Sequence, residues 1–492
     1  MRRSGLRRGV ALLGLAALAG CMDDAVEPLP EAPTLRIAIA SGDDQTGAPG
    51  LALPGQPVVT VTNAGGAPAA GVDVTWRVLE GGGWTEPDRI PTDAQGRAAT
   101  RWLLGDDFGR HLLLASVEGA QGVTFRAWGD LFFTGVSAGW RHSCGLDPKG
   151  WAWCWGDNNW GQLGDGTKAG SPESRRVSGG HSFVRVEAGT LHTCALTAEG
   201  DPFCWGDNGL GQLGDGTNAS RPVPVASGVG VRFDDLDLGG LHTCGLDPSG
   251  ALYCWGSNQS GQLGVPGSET CSVFNTAQPC ATRPARVELP GAVVKVSAGD
   301  AHTCALTDEG TAFCWGKNDW GQLGIGRFGG NAVVPTPVLG DLRFRDIAAG
   351  PTNTCALDEA GAAWCWGMSA RGVLGIDTVT ANRDRPSAVE MPVGIGFLEI
   401  GLGDAHACAR GPAGVWCWGA VLGNGTAGPS RVPVKVGGTA ELVTLTVGGA
   451  HACGFDEGVW CWGSNPYGQL GIPKDSVATA LLPLKVRRSP PE

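Results

Sequence analysis

The segment His142-Ser143-Cys144 is followed shortly by Cys154-Trp155-Gly156, and the prediction of the fold rests on this pair of motifs. It occurs seven times, with Asn353 in place of the histidine in the fifth copy. A unit that recurs about every 50 residues is typical of a repeat array or a propeller. The later cysteine pairs are 194/204, 244/254, 304/314, 355/365, 408/417 and 453/461.

Each copy contains four short runs typical of strands, separated by Gly and Pro turns. The chain has 82 Gly and 32 Pro in 492 residues, and no segment has the pattern of a long amphipathic helix. Four strands in each of seven copies predict an all-β protein with a seven-bladed β-propeller over residues 131–492. In the second copy the runs are Phe183–Gly189, His192–Leu196, Phe203–Gly206 and Arg221–Val225.

The two cysteines of each copy are predicted to face each other across a hairpin. If Cys194 lies opposite Cys204, the loop is Ala198-Glu199-Gly200, with Gly at the third position that a three-residue hairpin loop favours. The last strand of the array, Leu481–Val486, is expected to dock against the opening strand, Phe132–Val136, and so close the ring. The tryptophans of the Cys-Trp-Gly motifs are expected in the core.

The N-terminus resembles a bacterial lipoprotein signal. Four arginines precede a short apolar run and Leu18-Ala19-Gly20-Cys21, and this run is too short to span a membrane. The resemblance implies a signal peptide at 1–20, cleavage before Cys21 and lipid on that thiol, whereas an ordinary secretory signal is the alternative. Residues 21–33 are acidic, contain prolines and indicate a tether. The implied location is the cell envelope, with the protein anchored to a membrane and facing the periplasm or the exterior.

Export favours disulfides, because thiols pair in oxidising compartments. Of the 17 cysteines, Cys21 is assigned to lipid, which leaves an even number and one pair outside the copies, Cys271–Cys280. Zinc is the alternative, since His-x-Cys plus Cys offers three ligands, but Asn353 is a poor one. The predicted disulfides are Cys144–Cys154, Cys194–Cys204, Cys244–Cys254, Cys271–Cys280, Cys304–Cys314, Cys355–Cys365, Cys408–Cys417 and Cys453–Cys461.

Residues 34–130 alternate in the period-2 manner of strands, in short runs between turns. The segment Thr92-Asp93-Ala94-Gln95-Gly96-Arg97-Ala98, followed by Trp102, resembles the bacterial immunoglobulin-like domains of surface adhesins. The resemblance implies an immunoglobulin-like β-sandwich in front of the propeller.

The copies also resemble the repeats of the regulator of chromosome condensation family. The shared pattern is Ala-Gly-x-x-His-Thr-Cys-Ala-Leu, Trp-Gly-x-Asn-x-x-Gly-Gln-Leu-Gly and a trailing Pro-x-x-Val. The resemblance implies the propeller fold. The nucleotide exchange for which the family is best known is not expected of an exported lipoprotein.

The copies differ from one another in three places, where specificity is expected. These are the insert Val265–Thr282, the position before Gly-Gln-Leu-Gly, and the pair before each histidine, such as Trp140-Arg141. The candidate binding residues are Trp160, Trp320, Tyr467, Cys271 and Cys280.

The sequence favours a monomeric binding or scaffold protein that recognises an envelope or extracellular protein or glycan. The net charge of −12 argues against nucleic acid, and no catalytic set, cofactor or metal is predicted. Ser137 fits a nucleophile-elbow pattern, but other copies replace it. The alternative is an exported hydrolase or lyase that acts on envelope polysaccharide.

Overall fold

The structure, a computed structural model, describes residues 35–486 except 107, 229, 267–268, 274–275, 377–380, 439–441, 457 and 474. The predicted signal peptide, Cys21 and tether lie outside the described residues. Nearly all regular structure is strand, so the all-β prediction is confirmed. One 3-10 helix, Ala370–Gly372, is the exception within the described part.

The first unit consists of three sheets, one of them two-stranded, that enclose one core. Its core side chains include Val59, Trp76, Trp102, Leu113 and Phe125, all nearly inaccessible to solvent. The sheets have the orders β1-β3-β7 and β2-β10-β9-β4-β6, and β5 pairs with β8. The strands are β1 (Leu35–Ser41), β2 (Gln45–Gly47), β3 (Val58–Asn63), β4 (Asp73–Glu80), β5 (Gly83–Glu86), β6 (Arg89–Pro91), β7 (Arg97–Ala99), β8 (Arg101–Leu104), β9 (Gly109–Ser116) and β10 (Val123–Gly129).

Residues 97–104 form two short strands rather than one continuous strand. Thr100 separates β7 from β8, is buried, and donates a hydrogen bond from Oγ1 to the carbonyl oxygen of Pro87 at 2.6 Å. The division lets β7 pair with β3 and β8 pair with β5.

Seven further sheets follow, each built from four consecutive strands, and we number them sheets 1 to 7. Sheet 3 carries a fifth strand. The first four sheets contain β11 (Gly135–Ala138), β12 (His142–Leu146), β13 (Ala152–Gly156), β14 (Ser171–Arg176); β15 (Arg185–Ala188), β16 (His192–Leu196), β17 (Pro202–Gly206), β18 (Arg221–Ala226); β19 (Asp235–Leu238), β20 (His242–Leu246), β21 (Leu252–Ser257), β22 (Glu269–Val273), β23 (Thr276–Val287); β24 (Val293–Ala298), β25 (His302–Thr307), β26 (Ala312–Gly316) and β27 (Ala332–Pro337).

Sheets 5 to 7 repeat the same order. They contain β28 (Phe344–Ala349), β29 (Asn353–Asp358), β30 (Ala363–Gly367), β31 (Arg383–Ala388); β32 (Glu399–Leu402), β33 (His406–Gly411), β34 (Gly414–Gly419), β35 (Ser430–Lys435); β36 (Thr444–Val447), β37 (His451–Phe455), β38 (Val459–Ser464) and β39 (Thr479–Lys485).

The predicted hairpin register is confirmed. Cys194 pairs with Cys204 and Leu196 with Pro202, which leaves a short loop ending in Gly200 at φ 82°. That positive φ favours glycine, because a Cβ there would crowd the backbone. The structure joins the cysteines within each of the seven hairpins, and it joins Cys271 to Cys280 in the insert.

The sheets form a ring through their first strands. β11 contacts β15, β15 contacts β19, and so on to β36, which contacts β11. We call the contact between two neighbouring sheets a seam. The ring does not close as the sequence suggested, because β39 pairs with β38 and β11 pairs with β12. Closure is by side-to-side packing of complete sheets, since the first strand of a sheet is innermost and the last is the outer edge.

One set of buried polar bonds recurs at the seams. At seam 1–2, His142 Nε2 lies 2.9 Å from Thr193 Oγ1, and that hydroxyl donates to the carbonyl oxygen of Gln162 at 2.8 Å. The indole Nε1 of Trp205 donates to the same oxygen at 2.9 Å. Because the hydroxyl hydrogen goes to Gln162, the imidazole must be the donor at Nε2. Burial lowers the pKa of His142 to about 3, which keeps the ring neutral.

The repeated tryptophans and histidines lie at the contacts between neighbouring sheets. All seven tryptophans of the Cys-Trp-Gly motifs are fully buried, as expected. Five of the six repeated histidines, at positions 142, 192, 242, 302 and 451, are hydrogen-bonded to a side-chain hydroxyl of the next sheet. They are therefore parts of the seams.

Candidate binding face

The loop before each His-x-Cys strand and the turn after each Cys-Trp-Gly strand lie at the same end of a sheet. His142 pairs with Gly156, and the amide of Asp157 donates to the carbonyl oxygen of Arg141 at 3.0 Å. The hairpin loop at Gly150 is at the opposite end. We call the first end the upper face of the ring and the second end the lower face. All three variable regions of the sequence therefore lie on the upper face.

The turns of the upper face are fixed by buried side chains. Asn158 accepts a hydrogen bond from the amide of Leu163 at 2.9 Å and donates to the carbonyl oxygen of Ala169 at 3.1 Å. Gln162 Oε1 accepts from the amide of Trp160 at 2.9 Å. The indoles of Trp160 and Trp320 are each 38% exposed. Two of the predicted binding residues are thus presented to solvent from ordered turns.

Tyr467 belongs to a cluster of side chains that joins three sheets. The guanidinium carbon of Arg141 lies 3.8 Å from the ring centroid of Trp140 and 4.7 Å from that of Tyr467. Trp140 Nε1 donates to Asp404 Oδ2 at 2.9 Å. The structure therefore brings Trp140-Arg141 and Tyr467, predicted separately, to one place near the mouth of the ring.

The two cysteines of the insert were predicted as binding residues, but the structure buries them. Cys271 and Cys280 are 3% and 0% exposed, so they cannot themselves touch a partner. They pack on Leu210 and Leu241 of the upper face. Leu210 occupies the position that Trp160 holds in the first copy, and the insert covers it. The cysteines hold the insert in place, and its exposed residues remain the candidates.

A central cavity of about 530 Å³ opens within the ring. Glu187, Asp237 and Lys295 contribute to its wall, and Trp140, Asp300 and Asp404 to its upper mouth. Trp140, Asp300 and Asp404 belong to the variable pair before each histidine, whereas Glu187, Asp237 and Lys295 were not predicted as a site from the sequence. The signal that could have found two of them is that Glu187 and Asp237 replace Ser137 in the second and third copies.

The wall is more acidic than basic. Arg185 Nε lies 3.0 Å from Glu187 Oε1, and Arg185 Nη2 lies 2.7 Å from Asp235 Oδ1. Lys295 is paired with Asp346. Burial, reinforced by Glu187 and Asp235, raises the pKa of Asp237 to about 7. At neutral pH this carboxyl therefore exists in both its protonated and its ionised form.

The elbow pattern at Ser137 has no catalytic geometry. Its Oγ lies 3.0 Å from Glu187 Oε2 and accepts a hydrogen bond from the amide of Ala188 at 3.0 Å. These bonds connect sheets 1 and 2. No set of three or more His, Cys, Asp or Glu side chains suited to a metal ion occurs among the described residues. Within the same residues, no helix has the length and apolar character needed to cross a membrane.

The ring of repeated sheets with variable turns on one face defines a repeat protein of the β-propeller class. Residues 202–491 match the family model of the RCC1-like domain, and residues 149–196 match the regulator of chromosome condensation (RCC1) repeat. Because the first match covers more than half of the chain, the chain belongs to the RCC1-like domain family. The resemblance stated from the repeats is confirmed.

Two curated relatives show how much of the chain is shared. The probable E3 ubiquitin-protein ligase HERC6 of Homo sapiens is 34% identical over 190 residues, which are 36% of this chain and 19% of the relative. The ultraviolet-B receptor UVR8 of Arabidopsis thaliana is 30% identical over 191 residues, which are 37% of this chain and 43% of the relative. The match thus spans less than half of either relative.

Solved structures support the fold. Prp20p from Saccharomyces cerevisiae has a TM-score of 0.55 at 24% identity, covering 64% of this chain and 80% of that protein. Human WBSCR16 has a TM-score of 0.57 at 20% identity, covering 68% of this chain and 89% of that protein.

Proposed function

We propose that this protein is a lipid-anchored, extracytoplasmic binding or scaffold protein that recognises a protein or glycan with its upper face. The seven sheets are the blades of a seven-bladed propeller in this proposal, and residues 34–130 form an immunoglobulin-like sandwich. The observation that carries the proposal is the placement of all three variable regions on one face. In a repeat scaffold, the positions that differ between copies supply specificity.

The first unit leaves that face open. Lys149, at the lower face of sheet 1, pairs with Asp106 of the first unit. The ring of Phe108 packs edge-on against Trp153 at a centroid distance of 5.5 Å. Because the first unit contacts the lower side, an anchor that precedes it would point the upper face away from the membrane.

The eight cysteine pairs support an oxidising compartment, as does the resemblance of residues 1–20 to a lipoprotein signal. Lipid on Cys21 would hold the protein at the cell envelope. The acidic balance favours protein or glycan over nucleic acid as the partner. Among relatives, Prp20p is described as binding Gsp1p and histones, which supports protein binding as a use of the fold. The protein acts as a monomer in this proposal.

A binding comparison tests the proposal. A soluble Cys21→Ser form is used to capture partners from envelope extract, beside a Trp160→Ala/Trp320→Ala/Tyr467→Ala variant. The control removes exposed tryptophans of the first unit, Trp84 and Trp128, which are 53% and 49% exposed. Capture that is lost with the upper-face variant and kept with the control supports the proposal. Capture that is equal in all three contradicts it.

A hydrolase or lyase acting in the central cavity is the second candidate. It is favoured by the carboxyls of Asp237 and Glu187, which share the cavity and have raised pKa values, chiefly because of burial. Turnover of envelope glycans that is abolished by Asp237→Asn would establish this activity. Without such turnover, the candidate fails.

A further inference from the structure

The seams are not equivalent. The three-bond set described for seam 1–2 is complete at five of the seven seams. Each set joins a histidine to a hydroxyl of the next sheet, that hydroxyl to a carbonyl oxygen, and a buried indole to the same oxygen. The four further sets are His192–Thr243–Gln212–Trp255, His242–Thr303–Gln262–Trp315, His302–Thr354–Gln322–Trp366 and His451–Ser143–Gln469–Trp155.

Seam 7–1 has the complete set although no covalent linkage spans it. Here His451 Nε2 lies 2.9 Å from Ser143 Oγ, and Ser143 and Trp155 both donate to the carbonyl oxygen of Gln469 at 2.9 Å. The stack of Arg141 between Trp140 and Tyr467 adds to the same seam. The seam between the last and the first sheet therefore has the same three bonds as the complete seams inside the ring.

Seam 6–7 lacks all three bonds, although the chain runs through it. Ala452 stands where the other sheets have Thr or Ser, so no hydroxyl faces His406. The His406 Nε2 and the Trp462 Nε1 are buried and make no hydrogen bond of standard geometry within the described residues. Among these residues, the His406 ring keeps only an interaction with the backbone of His451, which opposes the lowering of its pKa by burial. Buried polar atoms that lose their partners raise the free energy of the closed state.

The turn that supplies the carbonyl acceptor at other seams is shorter in sheet 6. Sheet 6 has Gly419-Ala420-Val421-Leu422-Gly423 where sheet 1 has the longer run Gly156–Gly164. Leu422 and Gly423 keep the positions of Leu163 and Gly164, since Leu422 is buried and Gly423 faces Trp462. The four residues missing before them include the asparagine that fixes the other turns. Sheet 6 therefore keeps the core part of the turn and loses its outer loop.

Seam 5–6 keeps one of the three bonds. Asn353 and Ala407 replace the histidine and the hydroxyl, and neither amide atom of Asn353 has a partner in the described part of the chain. The indole of Trp418 still donates to the carbonyl oxygen of Val373 at 2.8 Å. Asp346 Oδ2 also accepts a hydrogen bond from the amide of Ile400 at 3.0 Å. Sheet 6 thus has weakened polar contacts on both sides, with seam 6–7 the weaker.

Apolar packing and two backbone bonds remain at seam 6–7. The amide of Gly425 donates to the carbonyl oxygen of Leu481 at 2.8 Å, and the amide of Asp404 donates to that of Gly449 at 2.8 Å. Within sheet 6, Cys408 and Cys417 are joined, so the hairpin moves as one piece. Separation at this seam therefore leaves the sheet itself intact.

We propose that the ring opens at seam 6–7, with sheet 6 as the moving element. It does not open at seam 7–1, where the last sheet of the ring meets the first. The inference goes beyond the proposed binding function and does not depend on it. Local opening of this kind is measured by exchange of the amide hydrogens that bridge the seam.

Each seam carries its own reporter amide. Trp140 donates across seam 1–2 to Gly189, Asp404 across seam 6–7 to Gly449, and Gly449 across seam 7–1 to Gly139. Native-state hydrogen exchange on the full chain, read residue by residue, compares the three. We expect the Asp404 amide to exchange at least about ten-fold faster than those of Trp140 and Gly449. Equal rates, or faster exchange at Gly449, overturn the proposal.

Two substitutions test the seam bonds, one by adding a hydroxyl at seam 6–7 and one by removing the hydroxyl at seam 1–2. Ala452→Thr gives His406 the hydroxyl found at other seams and should slow exchange at Asp404 and Gly425 without changing Trp140. Thr193→Ala removes the corresponding hydroxyl at seam 1–2, with its bonds to His142 and Gln162. It only removes atoms, so it remains informative if Ala452→Thr does not fold. It should speed exchange at Trp140 several-fold and leave Asp404 unchanged. Unaltered exchange at Trp140 in Thr193→Ala contradicts the role given to the seam bonds.

Discussion

The Nε2 of His451 lies 2.9 Å from the Oγ of Ser143, and this contact joins the last of the seven sheets to the first. The same hydroxyl donates to the carbonyl oxygen of Gln469. Ser143 is the one serine at a position that Thr193, Thr243, Thr303 and Thr354 fill at the other complete seams. Closure of the ring thus uses the same bonds as its interior.

Ser143→Ala should lower the free energy of unfolding by about 1–3 kcal/mol, because it leaves the buried His451 Nε2 without a partner. The measurement is denaturant unfolding followed by tryptophan fluorescence. Thr193→Ala is the matched change at seam 1–2 and should cost a similar amount. A negligible loss for Ser143→Ala beside a clear loss for Thr193→Ala would show that the ring ends contribute little to stability.

Removing the Cys271–Cys280 pair by a double change to Ala should loosen the insert more than the ring. Both sulfurs are buried against Leu210, and the loop they close is short, so the entropy model gives at most about 3 kcal/mol. Limited proteolysis should cut the variant within residues 265–282 first. The comparison is Cys194→Ala/Cys204→Ala in sheet 2, where no such local cleavage is expected. Identical cleavage patterns would count against a pinned insert.

Replacing Val265–Thr282 by the short turn Asp215–Asn218 should keep the fold but expose Leu210 and Leu241. The melting temperature should fall, and adding Leu210→Ser to the graft should reduce aggregation. Size-exclusion chromatography and thermal unfolding test this. If the graft is as stable and soluble as the parent, the insert does not cover an apolar surface. Loss of partner capture by the soluble graft would assign the insert to the binding face.

Asp237→Asn should stabilise the protein above neutral pH. Burial, with Glu187 and Asp235, raises the pKa of Asp237 to about 7, above its value of 3.8 in the unfolded chain. The folded state therefore holds this proton more tightly, and the contribution to stability is lost as pH rises through 7. The gain from Asn should grow between pH 4 and pH 7 and then level off. Denaturant unfolding across this range measures it.

Asp247→Asn is the control of opposite sign. Burial opposes ionisation of Asp247, but hydrogen bonds from Ser249 and Ala251 outweigh it and lower the pKa. Its ionised form stabilises the fold above pH 4, so Asn should cost stability there. If the change in the free energy of unfolding varied with pH in the same direction for both variants, the ionised form of Asp237 would not destabilise the fold.

Much of the fold could be predicted because each hairpin is a local structure. The spacing of Cys194 and Cys204 and the glycine at 200 define the register without reference to any distant residue. The candidate tryptophans 160 and 320 could be predicted for the same reason, since their turn is fixed by side chains a few residues away. The buried state of Cys271 and Cys280 could not, because it depends on Leu210 and Leu241 of neighbouring turns.

The repeat, the strand order within each sheet and the pairing of cysteines across each hairpin follow from the amino-acid sequence, since these rest on contacts between residues close in the chain. The way the ring closes, the carboxyls that share the central cavity and the position of the weak seam depend on the complete fold. Asp237 and Glu187 share the cavity although they are 50 positions apart, and His451 contacts Ser143 across 308 positions. Such contacts exist only once complete sheets have packed side by side, because a seam is formed by side chains that no single copy contains.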